Sequence, residues 1–408
     1  MDWNNQEIGG GWVFGDFTYG ENSVDGFSEK GKEKVKSNQI LYIPEVIPDE
    51  NIEKYEELNK ATYVGIYAFQ KNKLKEVYMP DSVLEIKMCA FADNRISKVK
   101  LSENLKYIGI KAFENNKILS IKFPKTLTVV EEEAFINNKL KKLSLPDSML
   151  EVLGRVFENN QIEELKLPKL LKNISNRAFA ENKIKEVVLP ESMESIGTQA
   201  FSYNELKSIT IPKNVKDLWF NVFSYNKLEK VEILSPRINT FQSVFIGNDV
   251  KKVKLKCPIS SLGMASDQGL VYHAFSGYEI TSLDLSGNKD IDEETLKKIK
   301  YAFQCVEELD LTDCKNLKKI SDYTFERCRL KKVIFPDNLV EIGYGAFDSC
   351  YLKEVDLPRS IKIVRKHAFM GNPIKKLNIR GNLRELEPKA FPETEVVEEA
   401  LFEAATRI

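Results

Sequence analysis

Apolar positions along this chain follow two nested rhythms. Over short stretches they keep the spacing of Leu140, Leu143 and Leu145, or Ile184, Val187 and Leu189. Their final pair has the period of two of a half-buried strand, so one short strand per unit is predicted. Over longer distances phenylalanine recurs every 22 residues from Phe69 through Phe245. Two longer steps lead to Phe275 and Phe303, and the 22-residue step resumes through Phe325, Phe347, Phe369 and Phe391, which makes fifteen repeats. A residue that returns at a fixed step of this length stacks on its own copies, so the Phe column is the expected core behind the strands.

Polar residues keep the same register. Three residues after each Phe comes Asn, from Asn72, Asn94 and Asn116 through Asn248 and again at Asn372, with Cys328 and Cys350 substituting late. A second column of short polar residues follows each strand, including Ser82, Asn104, Thr126, Ser148, Ser192, Cys314, Asn338 and Ser360. Tight stacked turns leave backbone groups that no strand pairs, and such side chains satisfy them. Pro80, Pro124, Pro146, Pro168, Pro190, Pro212, Pro336 and Pro358 directly follow the strand, where a missing N–H ends ladder pairing. Together these columns match the leucine-rich-repeat signature L-x-x-L-x-L-x-x-(N/C). The predicted fold is α/β: a right-handed solenoid of about fifteen repeats, with a curved parallel sheet on the concave face and short helical or 3-10 turns on the convex face.

The rhythm also marks boundaries. Residues 1–60 lack the Phe register and read as an N-terminal cap, residues 61–391 as the solenoid, and residues 246–302 as a stretch of irregular inserts. The first insert, CPISSLGMASDQGL, reads as a surface loop. The second, KDIDEETLKKIKYAF, reads as a helix, with Asp290 three residues before Glu293 as its start and Leu296, Ile299 and Phe303 on one face. Residues 392–408 place Val397, Leu401, Ala404 and Ile408 on one helical face, either as a cap or as the start of a helical module.

Composition narrows the function. Lys plus Arg number 60 against 61 Asp plus Glu, a net charge of −1, so no field recruits nucleic acid. No run of eighteen apolar residues occurs, and the first thirty residues lack the apolar segment of a signal peptide, so direct membrane insertion is not expected. Cys314, Cys328 and Cys350 sit in the polar columns and read as buried structural thiols. The two histidines, His273 and His367, stand alone, each two residues before a repeat Phe. None of HExxH, CxxC, GxSxG or GxxxxGK(S/T) occurs. A Cys257–His273 pair is the one nucleophilic arrangement imaginable, and ordinary structural roles are the better reading. No catalysis, cofactor or metal is expected.

The AFxxN and (V/I)xLP wording, with Ile-Gly before the Phe at Ile108-Gly109, Ile196-Gly197 and Ile342-Gly343, resembles the BspA-like leucine-rich repeats of bacterial surface proteins. The opening DFTYGENSVDGFSEKGKEKVKSNQILYIPE is similar to the portion that precedes such repeats in Gram-positive anaerobes and streptococci. The resemblance implies a secreted or cell-surface adhesive domain that attaches to host or neighbouring-cell proteins or glycans. The alternative is a stiff spacer that presents another domain and has no ligand of its own.

Solenoids bind through the outward positions of their strands. In the early repeats these include Lys98, Lys100, Lys122 and Lys142, a basic face suited to an acidic protein or glycan. Later, Ser282, Asp284, Glu308 and Asp310 form an acidic patch. A third feature is aromatic. Trp219 and Phe241 replace the usual Gly, Phe220 adjoins Trp219, and Tyr203 and Tyr225 share a column, so that Tyr203 and Tyr225 are expected to touch. This cluster either binds or covers the core, and core cover is the favoured reading.

Overall fold

The computed structural model describes residues 3–49, 51, 54, 59–236, 238, 243–255, 281–288, 291–299 and 305–406. The chain divides into two compact units, Met1–Leu206 with Trp219–Asn226, and Lys207–Leu218 with Lys227–Ile408. Both are stacks of leucine-rich-repeat coils.

In the first unit each coil carries up to two strands. The longer ladder runs in parallel through Ile40–Tyr42, Glu76–Tyr78 and Lys98–Lys100, and again through Lys142–Ser144 and Glu164–Lys166, with single bridges at Ser120 and Glu186. A second ladder, of two-residue strands, runs through Tyr63–Val64, Glu85–Ile86, Tyr107–Ile108 and Val129–Val130, then Glu151–Val152, Asn173–Ile174 and Ser195–Ile196. One strand per repeat is therefore too few. The chain passes from the long strand to the short one through a turn that each Pro opens. The carbonyl of Pro146 accepts the amide of Met149, and that of Pro190 accepts the amide of Met193.

Behind the strands lies the Phe column. All thirteen repeat Phe residues within the described residues are buried, and Phe275 and Phe303 lie outside them. In the first unit Phe113 stacks on Phe135 at 5.1 Å and Phe179 on Phe201 at 5.3 Å, with ring planes 10° and 17° apart. Each Phe sits in tight turns rather than the helical or 3-10 turns expected there. Around every described repeat Phe except Phe391, the residue two before it and the residue two after it adopt left-handed φ, as at Lys111 (56°) and Asn115 (55°) around Phe113. Two left-handed residues per coil interrupt any helix and reverse the chain instead. Most are not glycine, so the neighbouring coils impose this conformation.

The Asn column holds the turns together. In the Phe135 coil, the Asn138 amide donates to the carbonyls of Phe113 at 2.9 Å, Phe135 at 3.2 Å and Ile136 at 3.3 Å. Its Oδ1 accepts the Ile118 amide at 3.1 Å. The same pattern recurs from Asn94 to Asn226. The second polar column works alike: the Thr126 hydroxyl donates to the Leu105 carbonyl at 2.8 Å and that of Ser192 to Leu171 at 2.7 Å. The start of the stack is closed by an antiparallel pair, Phe17–Tyr19 with Ser23–Phe27, whose Phe27 ring meets Phe69 at 4.8 Å.

The second unit repeats this plan. Its long ladder runs through Ser208–Ile211, Lys230–Ile233, Lys252–Leu255, Ser282–Asp284, Glu308–Asp310 and Lys332–Ile334, with Glu354–Leu357 and Lys376–Ile379 beyond. Its short ladder runs from Lys319–Ile320 to Glu385–Leu386. Phe325, Phe347, Phe369 and Phe391 stack at 5.0 to 5.2 Å. The expected insert helix spans Glu293–Ile299 and buries Leu296. Its first turn is capped by Asp292, whose carboxylate accepts the Thr295 amide at 2.8 Å. Asp290, the expected start, lies outside the described residues, as does the insert loop. The closing helix spans Glu395–Thr406; it buries Val397 and leaves Phe402 exposed.

Candidate functional site

The four early lysines lie on the outward positions of the long ladder, and all are exposed. The register sets Lys98 beside Glu76 and Lys142 beside Glu164. Their side chains pair at 3.6 and 2.7 Å, and Lys122 pairs with Glu103 at 3.2 Å. The expected basic face is thus largely compensated by carboxylates from adjacent coils. Exposed pairs of this kind contribute little stability and are screened by salt. Lys100 has no carboxylate within ion-pair distance among the described residues. Beside it, Tyr42 and Tyr78 stack at 4.7 Å, and the Lys98 ammonium lies 5.3 Å from the Tyr78 ring centre.

In the second unit the acidic positions are similarly engaged. Lys254 lies between Glu232, at 3.9 Å, and Asp284, at 3.2 Å. Burial alone would raise the Asp284 carboxyl, but hydrogen bonds from Ser286 and Lys254 outweigh it and hold the group below the ordinary range. Asp284 and Asp310 also accept the amides of Ser286 and Thr312 at 2.9 Å, so these carboxylates shape turns as well as facing outward.

Four of the aromatic residues are exposed, and the insert against which core cover was expected lies outside the described residues. Tyr203 and Tyr225 stack at 4.7 Å with planes 11° apart, and both are about half exposed. Trp219 and Phe220 are 42% and 45% exposed. Phe201 and Phe223 of the same coils are buried and stack at 5.6 Å. Phe241 lies outside the described residues.

The described column thiols are buried and hydrogen-bonded or protonated. Cys314 donates to the Leu285 carbonyl at 3.2 Å, and Cys350 to that of Phe325 at 3.0 Å, the bond an Asn makes elsewhere in the column. Burial pushes the thiols of Cys314 and Cys350 up to about 12 and that of Cys328 up to about 11, so all three stay protonated at neutral pH. His367 lies 3.3 Å from the Tyr344 hydroxyl. Cys257 and His273 lie outside the described residues. Among the described residues no group of three or more His, Cys, Asp or Glu gathers to hold a metal, and no helix is long and apolar enough to cross a membrane.

The short ladder carries a feature that the strand columns of the sequence do not reveal. A groove of about 560 Å³ runs across its outward face in the first unit, lined by Glu132, Glu151, Gly154, Asn173, Ser175, Ser195, Gly197 and Trp219 among others. Its signal lies in the alternation Glu151-Val152, Asn173-Ile174 and Ser195-Ile196, five to six residues before each Phe. Two-residue strands are too short to register as a period of two.

The model of the BspA-type leucine-rich repeat region matches residues 48–163, 151–266 and 294–408. No curated protein matches the chain. Among solved structures, a leucine-rich repeat protein from Bacteroides ovatus is 24% identical over 86% of this chain and 97% of its own, with a TM-score of 0.47. A leucine-rich cell surface protein from Faecalibacterium prausnitzii is 16% identical over 95% and 96%, with a TM-score of 0.42.

Proposed function

Since the chain belongs to the BspA-type leucine-rich repeat family, we propose that it is a non-catalytic, extracellular binding domain that attaches to proteins or glycans on a host or neighbouring cell. The observation that carries this reading is the division of labour within each coil. Phe, Asn and Ser/Thr columns satisfy the core and the turns, and outward residues of the early long ladder such as Lys98, Lys100, Lys122 and Lys142 take no part in either. Selection on those exposed positions is therefore free to serve a partner. The wording shared with repeats of bacterial surface proteins supports the extracellular location.

Binding of the folded protein to immobilised matrix proteins and to epithelial cells tests the reading, and uniform failure refutes it. Replacing Lys98, Lys100, Lys122 and Lys142 with Ser maps the face: adhesion that survives unchanged moves the site elsewhere. A spacer without a ligand is the second reading, favoured by one observation, the pairing of Lys98, Lys122 and Lys142 with carboxylates of their own stack.

A further inference from the structure

The groove on the short ladder is built differently from the charged long ladder, and it does not depend on the reading above. Its floor is lowered at Gly197, where an added Cβ would lie 2.7 Å from the backbone nitrogen of Asn176. A side chain there has no room, so the shelf beside Trp219 stays open. Trp219 lies one coil further along the same column and walls the groove with an indole 42% exposed.

Five polar side chains of the lining, Glu132, Glu151, Asn173, Ser175 and Ser195, make no side-chain hydrogen bond or ion pair with other described residues. Among the described lining residues the one cation is engaged. Arg155 bonds Glu133 at 3.0 Å and Glu158 at 2.7 Å. An anionic ligand would meet Glu132, Glu133 and Glu151 with no free cation among the described lining residues to balance them.

We propose that this groove binds a neutral oligosaccharide, with one sugar ring stacked on Trp219 and hydroxyls of the following rings bonded to Ser195, Asn173 and Glu151. The apolar face of a sugar suits an indole plane, and its hydroxyls suit a row of unpartnered amide, hydroxyl and carboxylate groups. Glu151 and Trp219 stand three coils apart, about 14 Å at the ladder spacing of ~4.8 Å. One lysine or arginine head cannot reach both, whereas a short chain of sugars spans them.

The test uses the full chain and neutral tetrasaccharides: cellotetraose, chitotetraose, maltotetraose and mannotetraose, followed by calorimetry and tryptophan fluorescence. The expected result is saturable binding of at least one at about millimolar concentration or below, the range of a small shallow site. Trp219→Ala should weaken it about tenfold and Asn173→Ala about threefold, with the unfolding midpoint unchanged. Glu151→Gln, which keeps hydrogen-bonding capacity, should stay within about twofold. Absence of binding across the panel overturns the proposal, as does binding that neither Trp219→Ala nor Asn173→Ala alters. A lysine-rich peptide that binds instead, and is lost in Glu151→Gln, overturns it in favour of a cationic ligand.

Discussion

Removing one amide from the Asn column separates its two roles, and Asn138 is the clearest place to do it. In Asn138→Ala three carbonyls lose a donor, yet each keeps another. Phe113 retains Asn116 at 3.1 Å, Phe135 retains Asn160 at 2.9 Å, and Ile136 retains the Asn115 amide at 3.1 Å. The Ile118 amide has only Asn138 and is orphaned. An unsatisfied buried donor costs about 1–3 kcal/mol, and the lost secondary bonds add about 1 more. The expected destabilisation is about 2–4 kcal/mol, independent of pH.

Asn138→Asp separates the roles further. One carboxylate oxygen keeps the Ile118 amide satisfied, while the other faces the three carbonyls at 2.9 to 3.3 Å. Burial and those dipoles raise the folded pKa of the new carboxyl above its unfolded value of about 3.9. The folded form then holds a proton that the unfolded form has lost, so the variant weakens as pH rises towards its folded pKa. Relative to the original protein, the penalty should be small near pH 4 and reach about 3 kcal/mol by pH 7.5. Denaturant unfolding followed by circular dichroism at both pH values measures it. Hydrogen exchange at the Ile118 amide, fast in the Ala variant and slow in the Asp variant at low pH, locates it. A loss below about 1 kcal/mol in the Ala variant, or an Asp variant whose penalty is flat with pH, refutes this account of the column.

Three further outcomes are expected. Phe201→Ala, which removes a ring stacked on Phe179 and Phe223, should lower stability by about 3–5 kcal/mol, and an unchanged thermal midpoint would show that Phe201 is not core. At Glu158, burial alone would raise the carboxyl, but hydrogen bonds from Arg177 and Arg155 outweigh it and lower its pKa. Its contribution is present above the unfolded pKa and fades as pH falls through the lower folded one. Glu158→Gln should therefore cost about 1–2 kcal/mol at neutral pH and less in acid, read from melting curves across pH. Cys314, Cys328 and Cys350 should resist iodoacetamide in the native protein at about pH 8 and react once it is unfolded, as peptide mass spectrometry would show.

Much of this molecule can be read from its columns. At a fixed step of 22 residues each side chain meets its own copy in the next coil. Phe113 therefore stacks on Phe135, Asn116 and Asn138 bond successive Phe carbonyls, and Tyr203 meets Tyr225, whatever the detailed path between them. The resemblance carried by AFxxN was legible for the same reason. Other features depend on how neighbouring columns lie beside one another, which repetition leaves open. The sequence placed Lys98, Lys122 and Lys142 on one face, but only the packed coils bring Glu76, Glu103 and Glu164 within reach of them. It marked Trp219 and Phe220 as unusual, but only the packed coils show that each is a little under half exposed. The groove beside Trp219 lies deepest in tertiary structure. It needs the short ladder, whose two-residue strands carry no period, and a glycine whose missing Cβ matters only because the Asn176 backbone lies 2.7 Å from where it would be. Contacts within a column are fixed by the repeat, whereas contacts between columns are fixed by the packing of one coil on the next.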